Sequence, residues 1–157
     1  FEMQLHEIIF KERIIQLDQF QGSKTDLLKY IFDKCESLSS IAPKHKDDIW
    51  ETLIERENSM STGIGLGVAI PHCSTEHVTD VIGMLTVLKE GIDFQAIDDV
   101  QVRILILLLL PKNKFEKHIK TLASVARLFN NEEFRTRVLN SSSTDEIFEI
   151  LTSSSGD

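Results

Sequence analysis

The chain has 157 residues, of which 41% are hydrophobic and 27% charged, and its formal net charge is −8. This balance is typical of a globular protein long enough to bury a sizeable core, so we expect a single domain over residues 1–157 with a frayed tail from residue 152. The acidic excess and the lack of an evident basic cluster argue against nucleic acid or an anionic membrane as the principal ligand, although a local phosphate site remains compatible with it.

Two cysteines, Cys35 and Cys73, are too few for a disulfide scaffold and are not spaced as a metal pair. The N-terminal residues show no signal-peptide pattern, which together with the cysteine count favours a cytoplasmic protein. The most apolar run, Ile104–Leu110, is far shorter than the roughly 20 residues of a membrane helix. We therefore expect no membrane insertion, and we predict no cofactor and no metal.

The first third of the chain predicts one strand and two helices. Apolar pairs separated by charges indicate a loop or short helix followed by a strand at Ile14–Leu17. A hydroxyl and an early acid at 22–26 mark the start of a helix that runs to about 35–38 and is broken at 39–43. A second helix fits 47–57, where the apolar residues fall on one face.

The remaining chain alternates strands and helices. After a polar, glycine-rich loop, the apolar runs predict a short strand at Val68–Ile70, a strand at Val81–Leu88 that leaves through a turn at 91–94, and a strand at Val102–Leu110 closed by Pro111. The last strand is apolar throughout, as expected of a central strand buried on both faces. Helical spacing predicts three final helices, at 118–129, 132–139 and 143–151.

His72 stands directly after the short strand and Pro71, at the end of a stretch that begins with Arg56 and contains Gly63, Gly65 and Gly67. A neutral imidazole attacks through one ring nitrogen while a fixed hydrogen bond to the other selects the tautomer. Glycines permit close approach of main chain and ligand, and their neighbouring N–H groups suit phosphate oxygens. We therefore predict a phosphohistidine site with His72 as the acceptor nucleophile, and Leu66 and Ile70 as apolar groups that exclude water.

Two further side chains suit the same chemistry. Arg56 offers a planar, permanently charged fork for phosphoryl oxygens, and His118, near a helix start, is a second hydrogen-bond donor if the fold brings it near His72. A simpler interpretation stays open for each residue: His72 as a structural histidine at a strand end, Arg56 as a cation at a helix C-terminus, and His118 as an exposed histidine at a helix start.

Other kinds of site fit the pattern less well. The glycine spacing is not that of a dinucleotide fingerprint, since a strand rather than a helix follows it. A zinc site from His72, His77 and His118 has no evident acidic ligand. We expect Cys73 to be buried and unreactive rather than a reactive thiol.

The segment Ser61–His72, preceded by Arg56-Glu57, resembles the signature of the bacterial phosphotransferase system enzyme IIA domain of the fructose/mannitol/nitrogen-regulatory class (type 2). Further likeness lies in Gly91–Phe94, in Val102–Pro111 and in His118–Ala123, so the resemblance spans about residues 47–151. Met60 and Cys73 depart from the usual pattern without removing a functional group. The Pro111–Glu116 loop is more lysine-rich than usual, a difference that we expect to bear on partner choice and not on the chemistry.

The resemblance implies an α/β fold, with a mixed β-sheet sandwiched between α-helices, and a phosphoryl group received on His72 from a histidine phosphocarrier protein. The family's assisting arginine and second histidine match Arg56 and His118. The chain most resembles the stand-alone nitrogen-regulatory branch, whose phosphorylation state acts on regulatory target proteins. Two alternatives remain. One is a sugar-specific enzyme IIA that passes phosphate to an enzyme IIB, and the other is a non-catalytic protein-binding regulator that is switched by phosphorylation of His72.

Overall fold

The computed structural model describes residues 4–37 and 41–153. The helices are α1 (Leu5–Ile8), α2 (Lys24–Ser37), α3 (Lys46–Ser59), α4 (Phe115–Phe129), α5 (Glu132–Leu139) and α6 (Thr144–Ser153), with short 3-10 turns at Lys11–Arg13 and Pro43–His45. The strands are β1 (Ile14–Leu17), β2 (Gly63–Gly65), β3 (Val68–Ala69), β4 (His72–Thr75), β5 (Ile82–Ile92) and β6 (Val102–Pro111).

The six strands form one mixed sheet, in which five follow the order β1-β5-β6-β3-β2 and β4 pairs with β6 beside this path. β1 runs parallel to β5, and β5 runs antiparallel to β6. On its other side β6 pairs in parallel with two short strands in succession, first β3 and then β4. This arrangement places the start of β4, and with it His72, beside Leu108 of the central strand β6.

The two faces of β6 are both buried, because helices cover both sides of the sheet. Alternate side chains of β6 belong to two separate apolar cores, as expected when successive residues point to opposite faces. Ile104, Ile106, Leu108 and Leu110 pack with α1 and α4–α6. Leu105, Leu107 and Leu109 pack with α2 and α3. The predicted mixed sheet between layers of helices is therefore confirmed.

Side-chain caps account for several helix starts. Ser23 precedes α2, where its Oγ accepts from the backbone N–H of Asp26 at 3.2 Å and its own N–H donates to the Asp26 carboxylate at 3.0 Å. This reciprocal pair satisfies N–H groups that a helix start leaves unpaired. Ser143 caps α6 through its Oγ, which accepts the N–H of Glu146 at 3.2 Å. None of the helices within residues 4–37 and 41–153 has both the length and the apolar character of a membrane span.

The predicted elements differ from the structure at several boundaries. β5 continues to Ile92, so the expected turn at 91–94 begins two residues late, and α4 starts at Phe115 rather than at His118. α6 includes residues 152–153, which the sequence suggested to be frayed. The expected helix break at 39–43 lies partly outside the described residues, and so does the tail at 154–157.

Candidate active site

The glycine-rich segment folds as a tight hairpin between β2 and β3. Gly65 and Gly67 have φ angles of 91° and 78°, which an L side chain rarely adopts, and Leu66 between them has a φ of 61°. The carboxylate of Asp98 holds this turn by accepting the N–H of Leu66 at 2.9 Å. The glycines therefore serve the backbone geometry of the turn, and β2 is a strand where the sequence predicted a loop.

Gly63 has a different role in the same hairpin. A Cβ atom at this position would lie 2.8 Å from the Cβ of Ala96, closer than side chains approach. Thr62, just before it, accepts the N–H of Ile70 at 3.0 Å through its carbonyl. The hairpin is thus packed against the 94–98 segment, which fixes the backbone conformation between α3 and His72.

Glu57, on the buried face of α3, holds the start of the segment that connects α3 to His72. It is 2% exposed, and its carboxylate accepts from Lys24 Nζ at 2.8 Å, from the N–H of Thr62 at 3.0 Å and from the Thr62 hydroxyl. A buried carboxylate with three donors is well compensated for the loss of water. The sequence analysis assigned Glu57 no role. Its spacing of four from Leu53, on the apolar face of the helix, was the available signal.

His72 is partly buried at the first position of β4, and its ring is oriented by a single short hydrogen bond. Nδ1 lies 2.8 Å from the carbonyl oxygen of Ile70. A carbonyl can only accept, so Nδ1 carries the proton and donates it. In the neutral ring, Nε2 then carries the lone pair. The backbone two residues upstream therefore selects the tautomer that leaves Nε2 as the nucleophile.

The pKa of His72 lies below its ordinary value of 6.5, mainly because burial disfavours the charged ring. The hydrogen bond to Ile70 opposes this shift, the charge of Arg56 lowers the pKa further and that of Glu57 raises it. The net effect keeps the ring neutral at pH 7. Neutrality is what an attacking imidazole requires.

Arg56 lies in the last turn of α3, and its charge acts on the His72 ring. Nη1 donates to the carbonyl of Met60 at 2.9 Å, which ties the guanidinium to the chain leaving the helix. Among the residues that the structure describes, no carboxylate forms an ion pair with Arg56. Its positive charge is therefore available to an anion placed near His72.

His118 lies in the second turn of α4 and is 4% exposed, rather than exposed at a helix start. Its Nε2 is buried and has no hydrogen-bond partner. Burial lowers the pKa of His118, and the nearby charges of Lys114 and Lys117 lower it further, so the ring is neutral at pH 7. A buried polar atom without a partner is costly unless a ligand completes it, which makes this nitrogen a candidate ligand contact.

Strand geometry indicates how His72 and His118 relate. Cys73 packs with α2 and α3, so its neighbour His72 points to the opposite face of the sheet, which α4–α6 cover. β4 ends at Thr75, beside Pro111 of β6, and α4 begins shortly after Pro111. Arg56 is coupled to His72 through its charge, whereas within residues 4–37 and 41–153 no hydrogen bond or ion pair joins His118 to either of them.

Three details differ from the sequence analysis or refine it. Leu66 is 51% exposed on the turn, whereas Ile70 is buried at 4% exposure, and the exclusion of water by these two side chains stays a prediction. His72 begins a strand of its own instead of ending the preceding one, because β6 pairs onward with β4 after Pro71. Cys73 is buried as expected, and burial raises the pKa of its thiol to about 12.

His77 is engaged elsewhere. Its Nε2 lies 2.6 Å from the Asp48 carboxylate at the start of α3, and its ring stacks on that of His45 with centroids 3.8 Å apart. In residues 4–37 and 41–153, no group of three or more histidine, cysteine, aspartate or glutamate side chains is arranged to hold a metal ion.

Known proteins match this chain over most of its length. The "Nitrogen regulatory protein" of Escherichia coli (strain K12) is 33% identical over 135 residues, which cover 85% of this chain and 81% of the relative. The "PTS system fructose-specific EIIA component" of Haloferax volcanii is 28% identical over 138 residues, or 88% of each chain.

Solved structures share the fold. The nitrogen regulatory protein IIA-Ntr from Neisseria meningitidis superposes with a TM-score of 0.83 at 33% identity, over 94% of this chain and 98% of that one. IIA mannitol from Escherichia coli superposes with a TM-score of 0.73 at 22% identity, over 89% and 96% of the two chains, and this supports the fold alone. Residues 8–154 match the family described as "Phosphoenolpyruvate-dependent sugar phosphotransferase system, EIIA 2", and the chain therefore belongs to that family.

Proposed function

We propose that the chain is a phosphoryl carrier that accepts a phosphoryl group on Nε2 of His72 from a histidine phosphocarrier protein and uses it as a regulatory signal. Family membership supports phosphoryl transfer in general. The observation that carries the specific proposal is the 2.8 Å contact between His72 Nδ1 and the Ile70 carbonyl, because it leaves Nε2 as the unprotonated ring nitrogen. The lowered pKa keeps that nitrogen available at pH 7.

In the transfer step, the Nε2 lone pair attacks phosphorus in line with the bond to the donor. The new N–P bond forms as the donor's N–P bond breaks, and the electron pair returns to the donor's imidazole. The backbone carbonyl of Ile70 keeps its hydrogen bond to Nδ1–H throughout, which stabilises the positive charge that develops on the His72 ring. Positioning and charge stabilisation account for most of the catalysis of phosphoryl transfer.

Two side chains would stabilise the phosphoryl oxygens. Arg56 already acts on His72 through its charge and has no carboxylate partner among the described residues. His118 has a buried Nε2 without a partner, which in the Nε2–H tautomer donates to an oxygen of the bound phosphoryl group. These assignments give Arg56 the electrostatic role and His118 the directional one.

The regulatory role is supported by relatives named nitrogen regulatory protein, one of which is 34% identical over 122 residues of this chain, and by the structural similarity to IIA-Ntr. Phosphorylation adds close to two negative charges to the surface at His72, enough to change which regulatory target proteins bind there. A cytoplasmic location suits this role, and it suits Cys35 and Cys73, which form no disulfide.

The sugar-specific alternative is less favoured, although the fructose-specific relative supports it. It makes a different demand on the phosphorylated chain, because the phosphoryl group must leave His72 for an enzyme IIB. Incubation of the phosphorylated chain with purified enzyme IIB components separates the alternatives. Rapid loss of label to one of them would favour sugar uptake, and retained label favours the regulatory role.

Phosphoryl transfer from a phosphorylated histidine phosphocarrier protein, followed by rapid quench, tests the residue assignments. Arg56→Lys keeps the charge but loses the planar fork, and we expect the transfer rate to fall by about a hundredfold, as for removal of one oxyanion donor. Arg13→Lys, on the 3-10 turn before β1, is the matched control and should transfer normally. An unchanged rate in Arg56→Lys would remove the assigned role of Arg56.

The role of His118 is tested in the same assay with His118→Gln, whose amide N–H lies near the position of Nε2–H, and with His118→Ala, which removes the donor. We expect His118→Ala to slow transfer by about a hundredfold and His118→Gln to recover part of the loss. Circular dichroism shows whether both variants fold. Equal rates in a folded His118→Ala variant would show that the buried Nε2 does not contact the phosphoryl group.

A further inference from the structure

A groove lies between the end of α5 and one side of α6. Its volume is about 560 Å³, which is within the range of small-molecule sites in proteins. Side chains from both helices line it, among them Thr136, Arg137 and Asn140 from the end of α5, and Glu146, Glu149 and Ile150 from α6. None of these residues belongs to the candidate active site, so the proposed phosphoryl transfer does not account for the groove.

The two walls of the groove differ in charge. The wall at the end of α5 holds Arg137, whose planar guanidinium can bind both oxygens of a carboxylate. The wall formed by α6 holds the carboxylates of Glu146 and Glu149. All three side chains are exposed, and no salt bridge within residues 4–37 and 41–153 joins the arginine to either glutamate. A donor for an anion and acceptors for a cation therefore line one cavity without neutralising each other.

Two of the lining side chains are fixed by the surrounding chain. One carboxylate oxygen of Glu146, Oε2, accepts from the N–H of Ser142 at 3.1 Å and from its hydroxyl at 2.9 Å. These bonds lower the pKa of Glu146, so the carboxylate is charged at pH 7. Its other oxygen, Oε1, forms no hydrogen bond among the described residues and is free for a ligand. Ile150 is 6% exposed and gives the groove an apolar surface.

The charges of the groove disfavour several classes of small ligand. An anion would lie near two carboxylates and a cation near the guanidinium, so that each would meet a like charge. In the part of the chain that the structure describes, no group of histidine, cysteine and acidic side chains is arranged to hold a metal ion. A zwitterion has a carboxylate for the arginine and an ammonium group for the glutamates, and it therefore matches both walls.

We propose that the groove between α5 and α6 binds an α-amino acid with an aliphatic side chain. The carboxylate of the amino acid binds Arg137, and its ammonium group binds Glu146 and Glu149. Its side chain packs on Ile150, and the amide of Asn140 offers a further donor for the carboxylate. This inference does not rest on the proposed function, because the amino acid contacts no residue of the candidate active site.

The test is an NMR titration of the full, unphosphorylated ¹⁵N-labelled chain with L-leucine and with two analogues that each lack one charge. L-Leucinamide keeps the ammonium group without the carboxylate, and isocaproate keeps the carboxylate without the ammonium group. We expect L-leucine to shift the amide signals of α5 and α6 with a Kd of about 0.1–1 mM, as a few charge-assisted contacts in an open groove would give. Each analogue should bind about tenfold more weakly or worse.

Two single variants remove the charge of one wall at a time. Arg137→Gln and Glu149→Gln should each weaken the binding of L-leucine by about tenfold, because each removes a charged partner of the ligand. The matched controls are Lys120→Gln on α4 and Glu133→Gln on α5, which make the same changes in net charge at exposed positions outside the groove lining. Both controls should bind L-leucine as the unsubstituted chain does.

Three results would overturn the amino-acid proposal. They are the absence of shifts in α5 and α6 with L-leucine up to about 10 mM, equal binding of L-leucine and either analogue, or equal losses in the groove variants and their controls. Equal binding of isocaproate would assign the groove to anions, and equal binding of L-leucinamide would assign it to cations. The titration involves no phosphoryl transfer, so its failure leaves the proposed function intact, and failure of transfer to His72 leaves this proposal intact.

Discussion

Removal of the Glu57 carboxylate should destabilise the protein strongly, because three donors would lose their acceptor together. Glu57 and its partner Lys24 have side chains that are 1% and 13% exposed, and Nζ lies 2.8 Å from Oε2. The N–H of Thr62, at 3.0 Å, would also be left without a partner. Breaking a buried ion pair from one side costs about 3–5 kcal/mol, so we expect Glu57→Ala to lose about this much free energy of unfolding.

A loss of this size lowers the Tm by about 6–20 °C in a domain of this length, at about 2–4 °C for each kcal/mol. Thermal and urea unfolding followed by circular dichroism measure it. Glu55→Ala, an exposed acid on the same helix, is the matched control and should change stability by less than about 0.5 kcal/mol.

A second pair of variants separates the lost ion pair from other effects. Replacing both partners, as in Lys24→Met/Glu57→Leu, removes the uncompensated lysine charge and should cost less than Glu57→Ala alone. The pKa of His72 gives a second measure of the loss of Glu57, because the charge of Glu57 raises it. That pKa, followed by NMR, should therefore fall further in Glu57→Ala. A loss below about 1 kcal/mol in Glu57→Ala would refute the reasoning.

Three other predictions follow from the same geometry. Gly63→Ala should lose about 1–3 kcal/mol in thermal unfolding, because its Cβ would lie 2.8 Å from that of Ala96, and Ala96→Gly should restore most of it; a neutral Gly63→Ala would contradict the close packing. Asp98→Ala should speed hydrogen exchange at the Leu66 amide, whereas Asp98→Asn keeps an acceptor and most of the protection; equal exchange in both would be evidence against the clamp. His72 and His118 both have pKa values below 6.5, so that as the pH falls the unfolded state takes up a proton on each ring before the folded state does. The free energy of unfolding should therefore decrease on acidification through pH 6.5, and it should decrease less steeply in His118→Asn. An unchanged slope in that variant would show that His118 does not contribute.

The central strand and the helices were predictable because their signals are local. β6 was recognised from an uninterrupted apolar run, its short length and the closing Pro111, and the structure gives it the central position with both faces buried. The helix after Ser23 was recognised from its hydroxyl and its early acid, which form the capping contacts observed. In both cases the deciding interactions lie within a few residues of one another.

The features that the sequence did not predict depend on distant partners. The strand β2 consists of glycine, isoleucine and glycine, and it lies against Ala96. The turn that follows it is held by the hydrogen bond between Leu66 and Asp98, which are more than 30 residues apart in the sequence. The role of Glu57 depends on Lys24, 33 residues away. The burial of His118 depends on how α4 packs on the sheet, which helical spacing alone does not specify.

The central claim concerns one nitrogen atom, Nε2 of His72. The most direct test is NMR of the ¹⁵N-labelled chain after incubation with a phosphorylated histidine phosphocarrier protein, which identifies the phosphorylated ring nitrogen through its phosphorus coupling. The account predicts phosphate on Nε2 of His72 and none in a folded His72→Ala variant. Phosphate on Nδ1, or label retained by that variant, would contradict it.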